Sequence, residues 1–444
     1  MLDQRYSAEN FRRIYDLENR RGANLERRYF PTLTVYTVNV RALRDSLKTL
    51  LALGKLSPAA EAQVASIRAN IIEQTAEKDV EIDRLLEELS SDIRRTSFRL
   101  DLDKKVGPKG KDVFPVRDSP AAFFVMKQLQ RNIHRLYKVK QSDRSSISAA
   151  TKDALSSKFP LEIVRTDIST FYESIDRDAL SLKLDRDQLL SLSSKRFIRQ
   201  LFDAYFRETG KPQGIPRGVG VSAYLAELYI RPFDEGVKSL CGMVSYHRYV
   251  DDILAIFARP PSGYKSVYID EISKFSSKIG LSLNPLKTRS FSTSDKVKFD
   301  YLGYQYVRDS GACILKPSAT KIWKYRRRLQ KSFERYHSEK PLSERKAARN
   351  LVARMMFLTG NTKLSNSKSH AVTGIFYNNS AATDISGFEA LDLFFHRKLK
   401  EISSPEVRVR LMPFSFCRGF TQRQFHSFST RKIASIVEAW KDGA

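Results

Sequence analysis

Three carboxylates stand where strands end or turn, and that placement makes them candidates for chemistry. Leu161-Glu-Ile-Val-Arg-Thr-Asp167 alternates apolar and polar residues over much of its length and reads as a strand that ends on an aspartate. The segments 243–249 and 253–257 read as two more strands, joined through Val250-Asp251-Asp252. Aspartate is a poor strand former, so two of them at a hairpin tip call for another explanation. Nucleotidyl transfer needs few protein parts: two or three carboxylates on rigid neighbouring strands, able to hold two magnesium ions roughly 4 Å apart. Water and substrate phosphates supply the remaining ligands. A lone Asp-Asp pair is more often a solvated turn, so the case depends on what accompanies it.

Several companions lie between and after the aspartates. Gly214-Ile-Pro-Arg-Gly-Val-Gly-Val-Ser222 holds three glycines that let backbone approach a ligand, and Ser222 is expected to cap the helix that follows. Lys287 follows an Asn284-Pro285 turn. Arg131, Lys138, Lys140 and Arg144 form a basic run upstream.

The elements that must position these residues fall into three stretches. From Ser57-Pro58, a good helix start, apolar residues recur three or four apart within two clusters, Val64, Ile67 and Ile71, then Ile82, Leu85, Leu89 and Ile93, which predicts a long amphipathic helix after a shorter one around 40–53. Residues 101–118, rich in Lys, Gly, Pro and Asp, are expected to be a loop. Helical and strand-like segments then alternate to about Leu315, and the remainder reads as almost wholly helical. Residues 316–350 carry 12 Lys or Arg against three Glu, with Ile322, Tyr325, Leu329, Phe333 and Tyr336 at helical spacing. One face can pack while Lys321, Lys324, Arg326, Arg327, Arg328 and Lys331 meet phosphates. Further helices are expected over 388–400, stopped by Ser403-Ser404-Pro405, and over 431–440.

Five segments together resemble the reverse transcriptases. Tyr249-Val250-Asp251-Asp252 is similar to that family's Tyr-x-Asp-Asp box, and Asp167-Ile-Ser-Thr-Phe-Tyr172 to its first aspartate with an aromatic five residues on. The Gly214 to Ser222 stretch resembles its Gly-Ile-Pro-Gln-Gly turn, while Gly280-Leu-Ser-Leu-Asn-Pro-Leu-Lys287 and Phe299-Asp-Tyr-Leu-Gly303-Tyr resemble its later boxes. Each is weak alone, but five in the correct order are specific. The resemblance covers about 120–315.

It implies an α+β fold, a right-hand polymerase with palm and fingers over 119–315, a helical N-terminal region and linker over 1–118, and a helical, basic, thumb-like region over 316–444. It implies Asp167, Asp251 and Asp252, with the backbone of Ile168, as ligands of two Mg2+ ions, with Mn2+ as a substitute. Tyr172 would lie under the sugar of the incoming nucleotide and exclude a 2′-hydroxyl. Lys287 would help neutralise the leaving pyrophosphate, and Arg144, in a short match to the fingers box Arg144-Ser-Ser-Ile147, would meet the triphosphate. One departure stands out: Arg217 occupies the place of the family's glutamine, which keeps donors, adds a fixed charge and loses the acceptor.

Bulk properties agree. The excess of 77 Lys and Arg over 50 Asp and Glu leaves +27, which suits a polyanionic partner. RNA template and DNA product are the expected partners, with a dedicated noncoding RNA as a further candidate. Cys241, Cys313 and Cys417 are widely separated, which argues against a disulfide framework or zinc site and for a reducing cytoplasm. No apolar run is long enough for a membrane span. Among relatives, compact bacterial reverse transcriptases of the phage-defence or abortive-infection type look nearest. Val372-Thr373-Gly374 matches a retron box but stands too far from the other boxes, so it is taken as coincidence. Two other functions are open: template-independent or protein-primed deoxynucleotide addition, and a noncatalytic RNA-binding scaffold.

Overall fold

The computed structural model describes residues 2–52, 57–107, 110–139, 142–259, 267–293, 296–364 and 371–441, so Lys140 lies outside the described residues. The chain forms two compact units, one of Met1–Lys140 with Thr170–Arg231 and one of Gln141–Ser169 with Pro232–Ala444. Among the described residues no helix is long and apolar enough to cross a membrane.

The first unit is mainly helical. Ser57 accepts from the Ala60 N–H and Pro58 takes the first helical position, which starts the 37-residue helix Pro58–Arg94 where the sequence pattern puts it. The preceding helix begins earlier than expected, at Thr34. Val64, Ile82, Leu86 and Ile93 form the buried stripe of the long helix. A buried polar chain ties the N-terminal segment in: Tyr6 Oη shares a hydrogen bond with Ser194 Oγ at 3.0 Å, Asn132 donates to the same oxygen at 3.1 Å, and Gln128 donates to Asn132 at 3.0 Å.

Residues 101–118 are not wholly loop. β1 (Lys105–Val106) pairs antiparallel with β2 (Asp112–Val113). Two-residue strands are too short for alternation to reveal them. Nor is Ser222 a cap: the helix Gly220–Lys238 starts two residues before it, and the Ser222 N–H already bonds the Val219 carbonyl at 3.0 Å.

The second unit contains the main sheets. β3 (Leu161–Asp167), β4 (Met243–Tyr249), β5 (Asp252–Ala258) and β6 (Arg289–Ser292) form a sheet of order β4-β5-β3-β6, every neighbouring pair antiparallel. The inner strands β3 and β5 are buried along nearly their whole length, which fits the apolar run of β5, while β3 also buries Glu162 and Thr166. β7 (Val297–Tyr301), β8 (Tyr304–Asp309) and β9 (Ala312–Pro317) make a three-stranded meander. Its two-residue turns, Leu302-Gly303 and Ser310-Gly311, have positive φ at both positions, the geometry that matches strand twist. Leu161, Ile163, Leu254 and Ile256 pack with Phe299, Tyr301, Tyr306 and Leu315, and with Ile147 and Leu155 of the helix Arg144–Leu155, into one core.

Beyond Leu315 the chain is mostly helical, with Tyr325, Leu329, Phe333 and Tyr336 buried as their spacing predicts. They share a core with Leu351, Met355, Phe388, Phe395 and Phe416. Fully burying a side chain of this size is worth about 1.5–3 kcal/mol. Two expectations change. β10 (Asn361–Lys363) pairs with β11 (Val372–Gly374), so Val372-Thr373-Gly374 is a strand within this helical region. Ser404-Pro405 starts a helix as well as ending one: Ser404 accepts from the Val407 N–H and Pro405 is the first residue of Pro405–Leu411.

Candidate active site

Strand register brings two of the three aspartates face to face. Asp167, the last residue of β3, is the direct cross-strand partner of Asp252, the first residue of β5. Asp251 precedes it in the β4–β5 turn, and its carbonyl accepts from the Ile168 N–H at 3.1 Å. The far side of this strand end is pinned too: Asn284 N–H donates to the Asp167 carbonyl at 2.7 Å and Ser169 N–H to the Ser282 carbonyl at 2.9 Å. Asp167 is thereby fixed between the hairpin tip and the segment before Lys287.

The tip is strained. Val250 has φ of 60°, a left-handed conformation that a β-branched residue rarely adopts and that costs roughly 1–3 kcal/mol. What holds it is Arg248, whose Nη1 donates to the Val250 carbonyl at 3.0 Å. The same guanidinium grips Asp234 through Nε at 2.8 Å and Nη2 at 2.7 Å, and Tyr246 Oη donates to that carboxylate at 2.6 Å. Side-chain exposures of 6% for Arg248 and 13% for Asp234 make this a buried ion pair. No local pattern announces it, because Asp234 belongs to the helix Gly220–Lys238 and Arg248 to β4.

Within the cluster the electrostatic strain falls on Asp252. Burial, then the like charges of Asp251 and Asp167, hold the Asp252 pKa above its ordinary value against Arg165 and Lys287. Lys287 Nζ lies 2.8 Å from Asp167 Oδ2, and this bond raises the lysine pKa. Asn284 Nδ2 stands 3.5 Å from Asp167 Oδ1. Hard carboxylate oxygens that repel one another are the donor set a divalent cation takes. Among the described residues no three His, Cys, Asp or Glu side chains close into a metal-holding group by themselves. The Lys287 ammonium sits on Asp167 in this structure, and magnesium in phosphoryl-transfer sites draws much of its shell from water and phosphate. In type and pairing the residues fit such an ion.

Arg144 belongs to the same unit and stacks its guanidinium 4.3 Å from the centroid of the Tyr249 ring. It opens the helix Arg144–Leu155, whose cap Asp143 accepts from the Ser146 N–H.

Tyr172 and Arg217 lie together in the first unit. Tyr172 sits in the short helix Phe171–Ser174, and its carbonyl accepts from the Ile215 N–H at 2.8 Å. Gly214 has φ of 90°, and a Cβ there would stand 2.9 Å from the Glu173 carbonyl oxygen, so the turn requires glycine. Arg217 forms a bidentate pair with Glu173, Nε to Oε1 at 2.5 Å and Nη2 to Oε2 at 3.0 Å, and lies 5.2 Å from the Tyr172 ring centroid. Burial pushes the Glu173 carboxyl up, but the Arg217 hydrogen bond and charge outweigh it and leave its pKa lowered. Phe114 N–H donates to the Arg217 carbonyl at 2.7 Å, which binds the β1–β2 segment to this turn. Arg131 lies in the helix Pro120–Tyr137, and Lys138 is its left-handed C-cap.

The basic helix Ala319–Glu339 interleaves cations with rings. Lys321 Nζ donates to the Asn378 carbonyl at 2.9 Å and lies 4.2 Å from the Tyr304 centroid. Arg326 covers Phe394, Arg327 covers Trp323 and Arg328 covers Trp440, while Lys331 donates to the Trp440 carbonyl. Lys324 is exposed. A stacked guanidinium keeps in-plane donors for phosphate.

Residues 122–306 match the family model described as Reverse transcriptase (RNA-dependent DNA polymerase), a span that includes all three aspartates, Tyr172, Arg217 and Lys287. The chain thus carries a reverse-transcriptase domain and is an RNA-directed DNA polymerase, a nucleotidyltransferase. No curated protein matches it. Similar solved structures include apo telomerase from Candida tropicalis, at 14% identity and TM-score 0.40, covering 77% of this chain and 68% of that one. Telomerase from Candida albicans with a fragment of telomeric RNA gives 13%, 0.37, 79% and 62%. At these TM-scores neither bears on the chemistry.

Proposed function

We propose that the chain extends a DNA primer on an RNA template by a two-metal mechanism in which Asp167, Asp251 and Asp252, with the Ile168 backbone, hold the ions. The observation that carries it is the direct cross-strand pairing of Asp167 with Asp252 beside Asp251. Magnesium bound there supplies charge for the attacking hydroxyl and the triphosphate. The chain's own residues do the rest. Lys287, already salted to Asp167, offers its ammonium to the charge that builds on the leaving pyrophosphate. Tyr172 closes the space a 2′-hydroxyl needs, Arg144 and Arg217 steady the triphosphate and template, and Lys321, Lys324, Arg326, Arg327, Arg328 and Lys331 grip duplex phosphates. In this proposal 119–315 are fingers and palm, 316–444 a thumb-like region and 1–118 a helical addition. A setting in bacterial antiphage defence, in the cytoplasm and with a dedicated noncoding RNA, rests on analogy with compact bacterial reverse transcriptases.

Incorporation of labelled deoxynucleotides by purified protein, with and without RNA template and primer, tests this. Wild type should make DNA whose sequence follows the supplied RNA, and Asp251→Asn with Asp252→Asn should lose about a thousandfold or more. Equal synthesis without template would favour the template-independent alternative. RNA binding with no synthesis under any metal would favour a scaffold.

A further inference from the structure

A surface groove of about 380 Å³ in the first unit gathers cations that the polymerase chemistry leaves unused. One face of the helix Leu192–Thr209 contributes Arg196, Arg199, Gln200, Asp203 and Arg207, spaced so that all five line up along a single stripe. Arg99, from the segment after the long helix Pro58–Arg94, completes the set. Four guanidinium groups thus share the groove with one carboxylate.

Their present partners are of a kind that phosphate oxygens replace. Arg99 donates to the Thr96 and Phe98 carbonyls, and Arg196 Nη2 donates to the Ile93 carbonyl at 2.9 Å. Arg196 Nε is buried with no hydrogen-bond partner among the described residues. Arg199 reaches Asp185 at 3.2 Å and Arg207 reaches Asp101 at 3.3 Å, but these are exposed pairs, which hold weakly and yield to a stronger anion. Asp203 stands four residues from both Arg199 and Arg207, so its charge is offset from each side.

Length identifies the ligand. Eleven residues of helix separate Arg196 from Arg207, about 16 Å at 1.5 Å per residue. Even along a stacked double helix each strand advances about 3.4 Å per phosphate, and an extended single strand advances further, so the stripe spans a few phosphates of a strand, longer than one triphosphate needs. The lining holds no aromatic ring for base stacking, which leaves the backbone as the part recognised. We propose that this groove is a sequence-independent binding site for the sugar–phosphate backbone of an RNA strand, built from residues that belong to neither the aspartate cluster nor the basic helix. The assignment rests on the chain being an RNA-directed polymerase, since that supplies the strand.

The test is fluorescence anisotropy of a labelled single-stranded RNA over a salt series, comparing full-length wild type with Arg99→Gln plus Arg199→Gln. Both residues are exposed, and a thermal melt verifies that the double variant is folded. Loss of two phosphate contacts should raise Kd about tenfold and flatten the slope of log affinity against log salt by about 1.4. Incorporation at saturating template should stay unchanged. Wild-type affinity and slope in the folded variant would overturn the proposal. So would a site emptied in wild type by millimolar pyrophosphate with RNA binding intact, because the groove would then serve a small anion. Binding is read without synthesis, so a wild type that binds RNA and makes no DNA counts against the polymerase mechanism alone.

Discussion

The Arg248 guanidinium and the Val250 carbonyl meet at 3.0 Å, and through that bond the turn before Asp251 is fastened to Asp234 on the helix Gly220–Lys238. Arg248→Lys keeps the buried charge but loses the fork that reaches both partners. The expected result is a folded protein whose kcat drops roughly tenfold to a hundredfold while the nucleotide KM changes little, because a small displacement of a reacting group is that costly. Steady-state kinetics with a defined template and primer separate the two constants. Arg248→Met should instead destabilise by about 3–5 kcal/mol in chemical denaturation, since the buried Asp234 loses its counter-charge and keeps only the Tyr246 hydroxyl.

Val250→Gly addresses the strain itself. Relief of about 1–2 kcal/mol at a left-handed β-branched position matches or exceeds the roughly 0.5–1 kcal/mol of glycine entropy, so the variant should gain up to about 1.5 kcal/mol of stability. The same freedom lets the tip wander, and kcat should fall. Differential scanning calorimetry beside incorporation assays reads both changes. A variant that is less stable would show that Val250 makes contacts worth more than its strain.

Tyr172→Ala opens the space under the sugar. Ribonucleotide incorporation relative to deoxynucleotide should rise by about 10–200-fold, the range expected when a pocket stops excluding one small group. Single-nucleotide extension with matched ribo- and deoxynucleotides measures the ratio. An unchanged ratio would remove Tyr172 from sugar selection.

Lys321 provides a pH signature. Burial, followed by the charges of Arg144 and Lys324, brings its pKa from 10.5 down to about 8. Between those two pH values the unfolded chain binds the extra proton, so this group's contribution to stability rises with pH across the window. Binding to a polyanion has the opposite sign, because phosphate needs the ammonium. RNA affinity should hold up to about pH 7.5 and weaken as pH passes 8, and Lys321→Arg should flatten the curve. Titrations at constant ionic strength from pH 6.5 to 9 test this.

Period and punctuation made much of the architecture legible. Alternation marks β3 up to Asp167, Ser57-Pro58 marks the start of the long helix, and the spacing of Tyr325, Leu329, Phe333 and Tyr336 marks a packed face. Where the expectations failed, the signal was short or double. β1 and β2 are two residues each, and Ser404-Pro405 is as good a beginning as an ending. Ser222 was passed over because the chain turned helical at Gly220. The supports of the candidate site were harder still. Arg248 with Asp234, and Asn284 at the Asp167 carbonyl, are tertiary pairings between elements that carry no local mark of each other. Glu173 stood beside Tyr172 in plain view, but only the folded turn brings Arg217 onto it.

That last pair changes what the departure at position 217 amounts to. An arginine that arrives with its own carboxylate is, seen from solvent, a neutral plate of donors and acceptors, close in valence to the glutamine it replaces. The two positions then behave as one exchangeable unit. Glu173→Gln alone would uncover a bare cation beside the Tyr172 ring, whereas joining it to Arg217→Gln restores neutrality, so the double change should disturb misincorporation less than the single one.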